Sequence, residues 1–264
     1  MKEINLIRHP NNIVEVKLNR PEKKNSINFS MIKELIKVGK NLAKEKNIKA
    51  IILTGGNEFF SSGIDVTEFN NKNNFLFTFL QFFKPGKNAF QKVNLIWREI
   101  PIPVIAAING YCFGAGFQLV LGADFRIATQ DSKFSIMEAK WGLIPDMGIT
   151  VSLRGLMPID KAKELAMTAR IFDGKEAKEL GLLTYLDANP FQKAMELAKE
   201  ISNFSPDAVA GVKYIFNSMV SDSNSDSLYL EKKWQRNLAV GKNRIIAFKK
   251  AKDNSITFKQ RFLG

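Results

Sequence analysis

The sequence is poorest in the residues that build redox, metal and nucleophile sites. Of its 264 residues one is cysteine, Cys112, and one is histidine, His9. A single thiol excludes an internal disulfide and a cysteine-rich zinc site. In its setting, YCFG beside a glycine-rich turn, Cys112 reads as a small apolar filler, and no metal site is expected. A Ser-His hydrolase triad would have to be built on His9, which lies in a polar entry segment, so that class is rejected. No apolar run has the length of a helical membrane span. The alternating stretch that begins at Ile13 leads us to expect no signal or transit peptide ahead of it, and the ending RFLG carries no retention or peroxisomal signal. The expected location is the cytoplasm.

What is present suits a folded globular protein. The chain is 45% hydrophobic and 25% charged, enough to bury a full core and too apolar to be disordered throughout. Its net charge of +13 favours an anionic partner, either a nucleic acid or a phosphorylated carrier. Aromatic residues are not interleaved with the basic ones in a stacking pattern, which makes nucleic acid the weaker candidate.

Along the chain, Ile13 to Leu18 alternates like a half-exposed strand, and LNRPEKKNSIN turns into a helix from about Phe29 to Lys46. Ala50 to Leu53 is a continuous apolar strand, followed by FFSSGIDVTEF with a small-residue turn at Ser62-Gly63. Val104 to Ile108 is a second buried strand, and Gly114-Ala115-Gly116 then opens a helix over Phe117 to Leu121. Strand, turn and helix thus recur in order, which points to an α/β architecture of repeated ββα units. Between these repeats, FLFTFLQFF predicts a core-facing helix, or a flap whose Phe77, Phe79, Phe82 and Phe83 cover an apolar acyl chain. Asp160 is expected to cap a helix running to Ala169, and Asp173-Gly174 to open another that stops at Gly181. Helices follow over Gln192 to Phe204, after Ser205-Pro206-Asp207, around Tyr229 to Leu238 and over Asn243 to Lys252. From about residue 203 the chain is expected to be all helix, giving two parts, 1–202 and 203–264, that pack together.

The chemistry concentrates between Pro103 and Asp146. Backbone N–H groups at the opening of the Gly114-Ala115-Gly116 helix have no partner within the helix, and small residues let a ligand approach them closely. Such a turn stabilises a phosphate or a developing oxyanion. Glu138 and Asp146 follow among Phe134, Ile136, Met137, Trp141, Leu143, Ile144 and Met147. An apolar setting disfavours the charged carboxylate and suits proton transfer beside a stabilised enolate. A second reading gives only Glu138 a chemical role and makes Asp146 the cap of a helix after Pro145. A dinucleotide fingerprint is excluded, because no third glycine follows Gly114 and Gly116 at the required spacing.

LNRPEKKNSIN, SSGID, PVIAAINGYCFGAGFQLVLGADFRIA and the Glu138 segment, in this order and spacing, resemble the crotonase (enoyl-CoA hydratase/isomerase) superfamily over nearly the whole chain. The resemblance implies a crotonase-like α/β spiral of ββα units across 1–202 and a helical trimerisation region across 203–264. It implies a homotrimer or hexamer and an acyl-CoA thioester substrate, coenzyme A being part of that substrate and not a separate cofactor. By the family pattern the N–H groups of Ser62 and Ala115 form an oxyanion hole. Lys23, Lys24 and Ile64 lie by the CoA nucleotide, and Gly63, Asp65, Gly114, Gly116, Gln118 and Trp141 line the substrate. Phe248 is expected to contribute from a neighbouring copy.

The carboxylates divide the family. Hydratases carry a glutamate where this chain has Gln118, and an amide cannot take a proton from water. Asp146 stands eight residues after Glu138 in EAKWGLIPDMG, a spacing similar to that of the dienoyl-CoA isomerase branch, although that branch has an acidic residue in place of Gln118. The resemblance therefore implies a double-bond shift in a dienoyl acyl-CoA, with Glu138 and Asp146 as acid and base. The alternatives are a single-carboxylate enoyl-CoA isomerase, a weak hydratase or, from another class, a basic RNA-binding homologue whose RNA binding would weaken with salt.

Overall fold

A computed structural model describes residues 3–70 and 72–264, without the side chains of Phe69, Asn70, Lys72, Asn73, Phe75, Phe77 and Phe82. The chain opens with an antiparallel hairpin, β1 (Ile4–His9) and β2 (Ile13–Leu18). Asn28 then caps α1 (Phe29–Lys44), its side chain accepting from Met31 N at 2.7 Å. Strands now follow in pairs. β3 (Ala50–Thr54) precedes β4 (Phe59–Ser61), β5 (Val104–Ile108) precedes β6 (Tyr111–Phe113), and β7 (Phe125–Ala128) precedes β8 (Lys133–Ser135). Helices α2 (Lys72–Phe82) and α3 (Ala89–Glu99) lie between the first and second pair, and α4 (Ala115–Leu121) between the second and third. The rest comprises α5 (Ile149–Ser152), α6 (Ile159–Thr168), β9 (Phe172–Asp173), α7 (Gly174–Glu179), β10 (Tyr185–Leu186) and α8 (Pro190–Ser202). It ends with α9 (Pro206–Ser218), α10 (Asn224–Ala239) and α11 (Lys242–Lys250).

The first strand of each pair enters a six-stranded sheet of order β1-β2-β3-β5-β7-β10, and the second enters a four-stranded sheet of order β4-β6-β8-β9. β3, β5 and β7 are mutually parallel, as are β4, β6 and β8. Each ββα unit therefore advances one strand along both sheets, which is the expected spiral. Both faces of the larger sheet are covered. Ile51, Leu53, Val104 and Ala106 join the main core with Ile32, Leu35 and Trp97, whereas Ile13, Ile52, Ile105 and Ile127 meet Ala194, Met195 and Ala198 of α8. That double burial explains the unbroken apolar strands, each large aliphatic side chain contributing roughly 1.5–3 kcal/mol.

Five expectations change. β2 is not half-exposed, since five of its six residues are buried. Asp160 caps nothing: α6 starts at Ile159 behind Pro158, with no side-chain cap, and Asp160 lies in its first turn. The helix expected around Tyr229 to Leu238 starts earlier, at Asn224, where Ser223 caps α10 by accepting from Asp226 N at 3.2 Å. The chain is not helical to its end. Beyond α11 an extended tail returns to the body, where buried Arg261 donates to Pro101 O at 2.9 Å and Ala43 O at 2.8 Å. Asp207 of α9 accepts from Phe262 N and Leu263 N, so the tail fastens the last helices to the spiral. Finally, the described apolar side chains of α2 do not face the core. Leu76, Phe79, Leu80 and Phe83 form an outward stripe, each at least 49% exposed, while Thr78 and Gln81 face inward. Gln81 uses that position to accept from Ala89 N at 2.9 Å, bracing the start of α3. The reading of Phe77 and Phe82 lies outside the described side chains.

Candidate active site

Two small-residue turns meet at the ends of β4 and β6. After β4, Ser61 Oγ donates to Asn25 O at 2.8 Å and accepts from Gly63 N at 3.2 Å. A parallel bridge pairs Ile27 with Ile64. Ile27 N donates to Gly63 O, and Asp65 N to Ile27 O. This register leaves the intervening Ile64 N–H facing away from Ile27, with no acceptor among the described residues. Ser62 is placed differently from expectation. Its N–H donates to Lys24 O at 3.0 Å and is not open to an oxyanion.

The second turn follows β6. Gly114 adopts φ +47° and ψ −118°, a conformation suited to glycine. Ala115 begins α4, and its N–H has no acceptor among the described residues. The two turns touch: a methyl group on Gly63 would come 3.9 Å from Ala115 N, and one on Gly114 would come 3.9 Å from Gly63 Cα. At Gly116 a Cβ would lie 2.5 Å from Ser61 Cβ, so only glycine lets α4 pack onto the β4 turn. The oxyanion-type donors that the geometry leaves open are thus Ile64 N–H and Ala115 N–H.

Glu138 opens a 3-10 turn, Glu138–Trp141, and a methyl group on Gly114 would stand 3.4 Å from its Oε1. Gln118 Nε2 donates to that oxygen at 2.6 Å, while Oε2 is buried without a hydrogen-bond partner. Burial pushes the Glu138 carboxyl above the usual carboxylate range, and the nearby Asp146 charge adds to this; hydrogen bonds from Gln118 and the backbone oppose it. Burial raises Asp146 as well. The cap reading of Asp146 fails, because α5 begins at Ile149 behind Gly148 and has no side-chain cap. A buried acceptor without a partner costs roughly 1–3 kcal/mol, and Glu138 Oε2 is such an atom, on the carboxyl whose Oε1 lies beside the Gly114 turn.

The other expected residues divide. Lys23 and Lys24 are exposed beside the Ser62 turn, with Lys24 Nζ 5.1 Å from the Phe59 ring centroid. Trp141, Leu143 and Ile144 form an exposed apolar rim after Glu138. The carboxylate of Asp65, by contrast, serves the turn itself. It accepts from Arg20 Nη1 and Thr67 Oγ1, each at 2.6 Å. Burial raises its pKa, but these bonds prevail and hold it below the usual range. Phe248 lies on α11 and lines a separate hollow of about 540 Å³ with Lys242 and Phe262. A cavity of about 670 Å³ lies against Val212 and Phe216 of α9 and Val220 just beyond it, and includes none of the Glu138 junction. Among the described residues no cluster of histidine, cysteine, aspartate and glutamate could hold a metal ion, and no helix is long and apolar enough to cross a membrane.

Sequence reasoning missed two donors, Ile64 N–H and Met147 N–H, the latter bonded to Gln118 Oε1 at 3.0 Å. Both are backbone groups, and only strand register and loop path reveal them. The enoyl-CoA hydratase/isomerase family model matches residues 8–254. A carnitinyl-CoA dehydratase of Citrobacter koseri is 34% identical over 214 residues, spanning 78% of this chain and 77% of that protein. The mitochondrial Delta(3,5)-Delta(2,4)-dienoyl-CoA isomerase of Mus musculus is 30% identical over 259 residues, 93% of this chain and 79% of its own. The crystal structure of an enoyl-CoA hydratase from Bacillus anthracis superposes with a TM-score of 0.88 at 28% identity, covering 99% of both chains. With its spiral fold and its junction of two small-residue turns, the chain belongs to the enoyl-CoA hydratase/isomerase family of the crotonase superfamily.

Proposed function

We propose that this enzyme shifts the double bonds of a dienoyl acyl-CoA, converting a 3,5-diene to a 2,4-diene. The observation that carries the reading is the buried, unpartnered Oε2 of Glu138, with the raised Asp146 carboxyl nearby and two open N–H groups at the same junction. One carboxylate removes the C2 proton, and the electron pair left behind spreads through the diene to the thioester oxygen. Ile64 N–H and Ala115 N–H receive that oxygen; a donor of this kind is worth about 3–4 kcal/mol of transition-state stabilisation. The other carboxyl delivers a proton at C6, so the substrate gains and loses no atoms. Two carboxyls with raised pKa values suit this exchange, since one must hold a proton while the other is ionised.

Similarity to the mouse isomerase supports the reading, as does the amide at Gln118, which cannot deprotonate water. The named activity of the Citrobacter koseri relative favours a second reading, the addition or removal of water at an enoyl-CoA. Exposed Lys23 and Lys24 offer positive charge to the CoA phosphates at the mouth of the junction. The outward α9 face, with Val212 and Phe216 at least 54% exposed, suits self-association into a trimer or hexamer. An absorbance assay of 3,5-dienoyl-CoA beside 2-enoyl-CoA tests the activity. Faster dienoyl isomerisation supports the proposal, and faster hydration of 2-enoyl-CoA supports the second reading against it.

A further inference from the structure

Gln118 lies inside α4 at 1% exposure, and both ends of its carboxamide are engaged. Its Oε1 accepts from Met147 N at 3.0 Å. A backbone N–H can only donate, so this bond fixes the oxygen end of the amide and turns the amine end towards Glu138. Nε2 then donates to Glu138 Oε1 at 2.6 Å. One oxygen of Glu138 is thereby held, and the other, Oε2, is left buried and open. Met147 also follows Asp146 directly, so the same amide pins the backbone beside the second carboxyl. A single side chain links the helix that presents Ala115 N–H to both acid–base groups.

We propose that Gln118 is a positioning residue for proton transfer, holding Glu138 by one oxygen so that the other faces substrate and anchoring the Asp146 segment through Met147. This rests on the reading of Glu138 as a proton-transferring group. Its length and its neutrality both matter. Methionine at this position has similar length but makes neither bond. Glutamate keeps an acceptor for Met147 N–H but sets two carboxyls at hydrogen-bond distance, where they must share one proton. The charged group facing Glu138 is Asp146, and Gln118 stabilises the ionised form of Glu138 against it.

The test is the pH profile of kcat for wild type, Gln118→Met, Gln118→Glu and Glu138→Gln, on whichever of 3,5-dienoyl-CoA and 2-enoyl-CoA the wild type turns over faster. Melting curves with and without acyl-CoA check folding and binding. Gln118→Met is expected to lower kcat about tenfold or more with KM little changed, and to move the acidic limb to higher pH. Gln118→Glu is expected to recover activity where the pair holds one proton and to lose it at higher pH, when both carboxyls ionise. Wild-type kcat and limbs in both folded variants, with Glu138→Gln inactive, would overturn the positioning role and leave the role of Glu138 standing. Full turnover by Glu138→Gln, or no turnover of either substrate by wild type, would overturn the underlying reading and the proposal with it. Should Gln118→Met not fold, the Gln118→Glu profile decides, and coincidence with wild type overturns the proposal.

Discussion

Replacing Gly114 by alanine separates backbone strain from loss of function. Gly114 and Gly142 both adopt positive φ, +47° and +71°. Gly142, with ψ +23°, lies in the left-handed basin, and a methyl group there would meet nothing within 4 Å. Gly142→Ala should therefore cost only conformational strain, about 1–2 kcal/mol, or some 2–4 °C of melting temperature per kcal/mol. Gly114, with ψ −118°, lies outside that basin, and a methyl group there would stand 3.4 Å from Glu138 Oε1. Its strain is roughly 1–3 kcal/mol, and because Gly114 N–H is tied to Ser135 O, relief through ψ rotates the peptide that carries Ala115 N–H. Misdirecting one oxyanion donor costs about 3–4 kcal/mol, so turnover should fall about 10²- to 10³-fold. Purified variants are compared by melting curve and by steady-state kinetics on acyl-CoA. The reasoning is refuted if folded Gly114→Ala turns over within about threefold of wild type, or if Gly142→Ala loses as much activity.

Three further outcomes follow from the same geometry. Glu138→Gln should lower turnover at least about 10²-fold while acyl-CoA still raises the melting temperature. A carboxyl whose pKa is raised by folding destabilises the native state as pH rises past its unfolded value, about 4, up to its folded value. Melting temperature of wild type should accordingly fall relative to Glu138→Gln across that window, and parallel curves would argue against a raised Glu138. Asp146→Asn should lower dienoyl isomerisation about 10²-fold without lowering the melting temperature, because Asp146 caps no helix and burial disfavours its charged form; full isomerisation by a stable variant would remove it from the mechanism. Phe216→Asp, at a site 60% exposed on α9, should reduce the light-scattering mass to that of one chain without loss of fold. An unchanged mass would move the assembly surface elsewhere.

Much of the spiral was legible because burial imposes a pattern that a strand cannot disguise. β2 and β5 match the expected Ile13 to Leu18 and Val104 to Ile108 residue for residue. Helix starts were legible where a side chain caps, as at Asp173 and Ser205, and misread at Asp160, where Pro158 sets the start. Phenylalanine density alone could not fix the inward face of α2, where the described Leu76, Phe79 and Leu80 point outward while Thr78 and Gln81 are buried. In the site, residue type marked Glu138, Asp146 and Ala115. It could not separate Ser62 from Ile64, because which N–H is free depends on pairing with Ile27, a contact between distant segments. Gln118 had the look of a lining residue; its two bonds depend on where the Met147 loop returns.

The central claim is that Glu138 and Asp146 exchange protons at opposite ends of one dienolate. Turning over 3,5-dienoyl-CoA in deuterium oxide and weighing the product by mass spectrometry tests it most directly. A proton removed by one carboxylate and replaced by a solvent-equilibrated partner predicts close to one deuterium per 2,4-dienoyl product, with incorporation following turnover and collapsing together with it in Asp146→Asn. A product formed at full rate without deuterium would show one base carrying the same proton from C2 to C6, and would contradict the two-carboxylate mechanism.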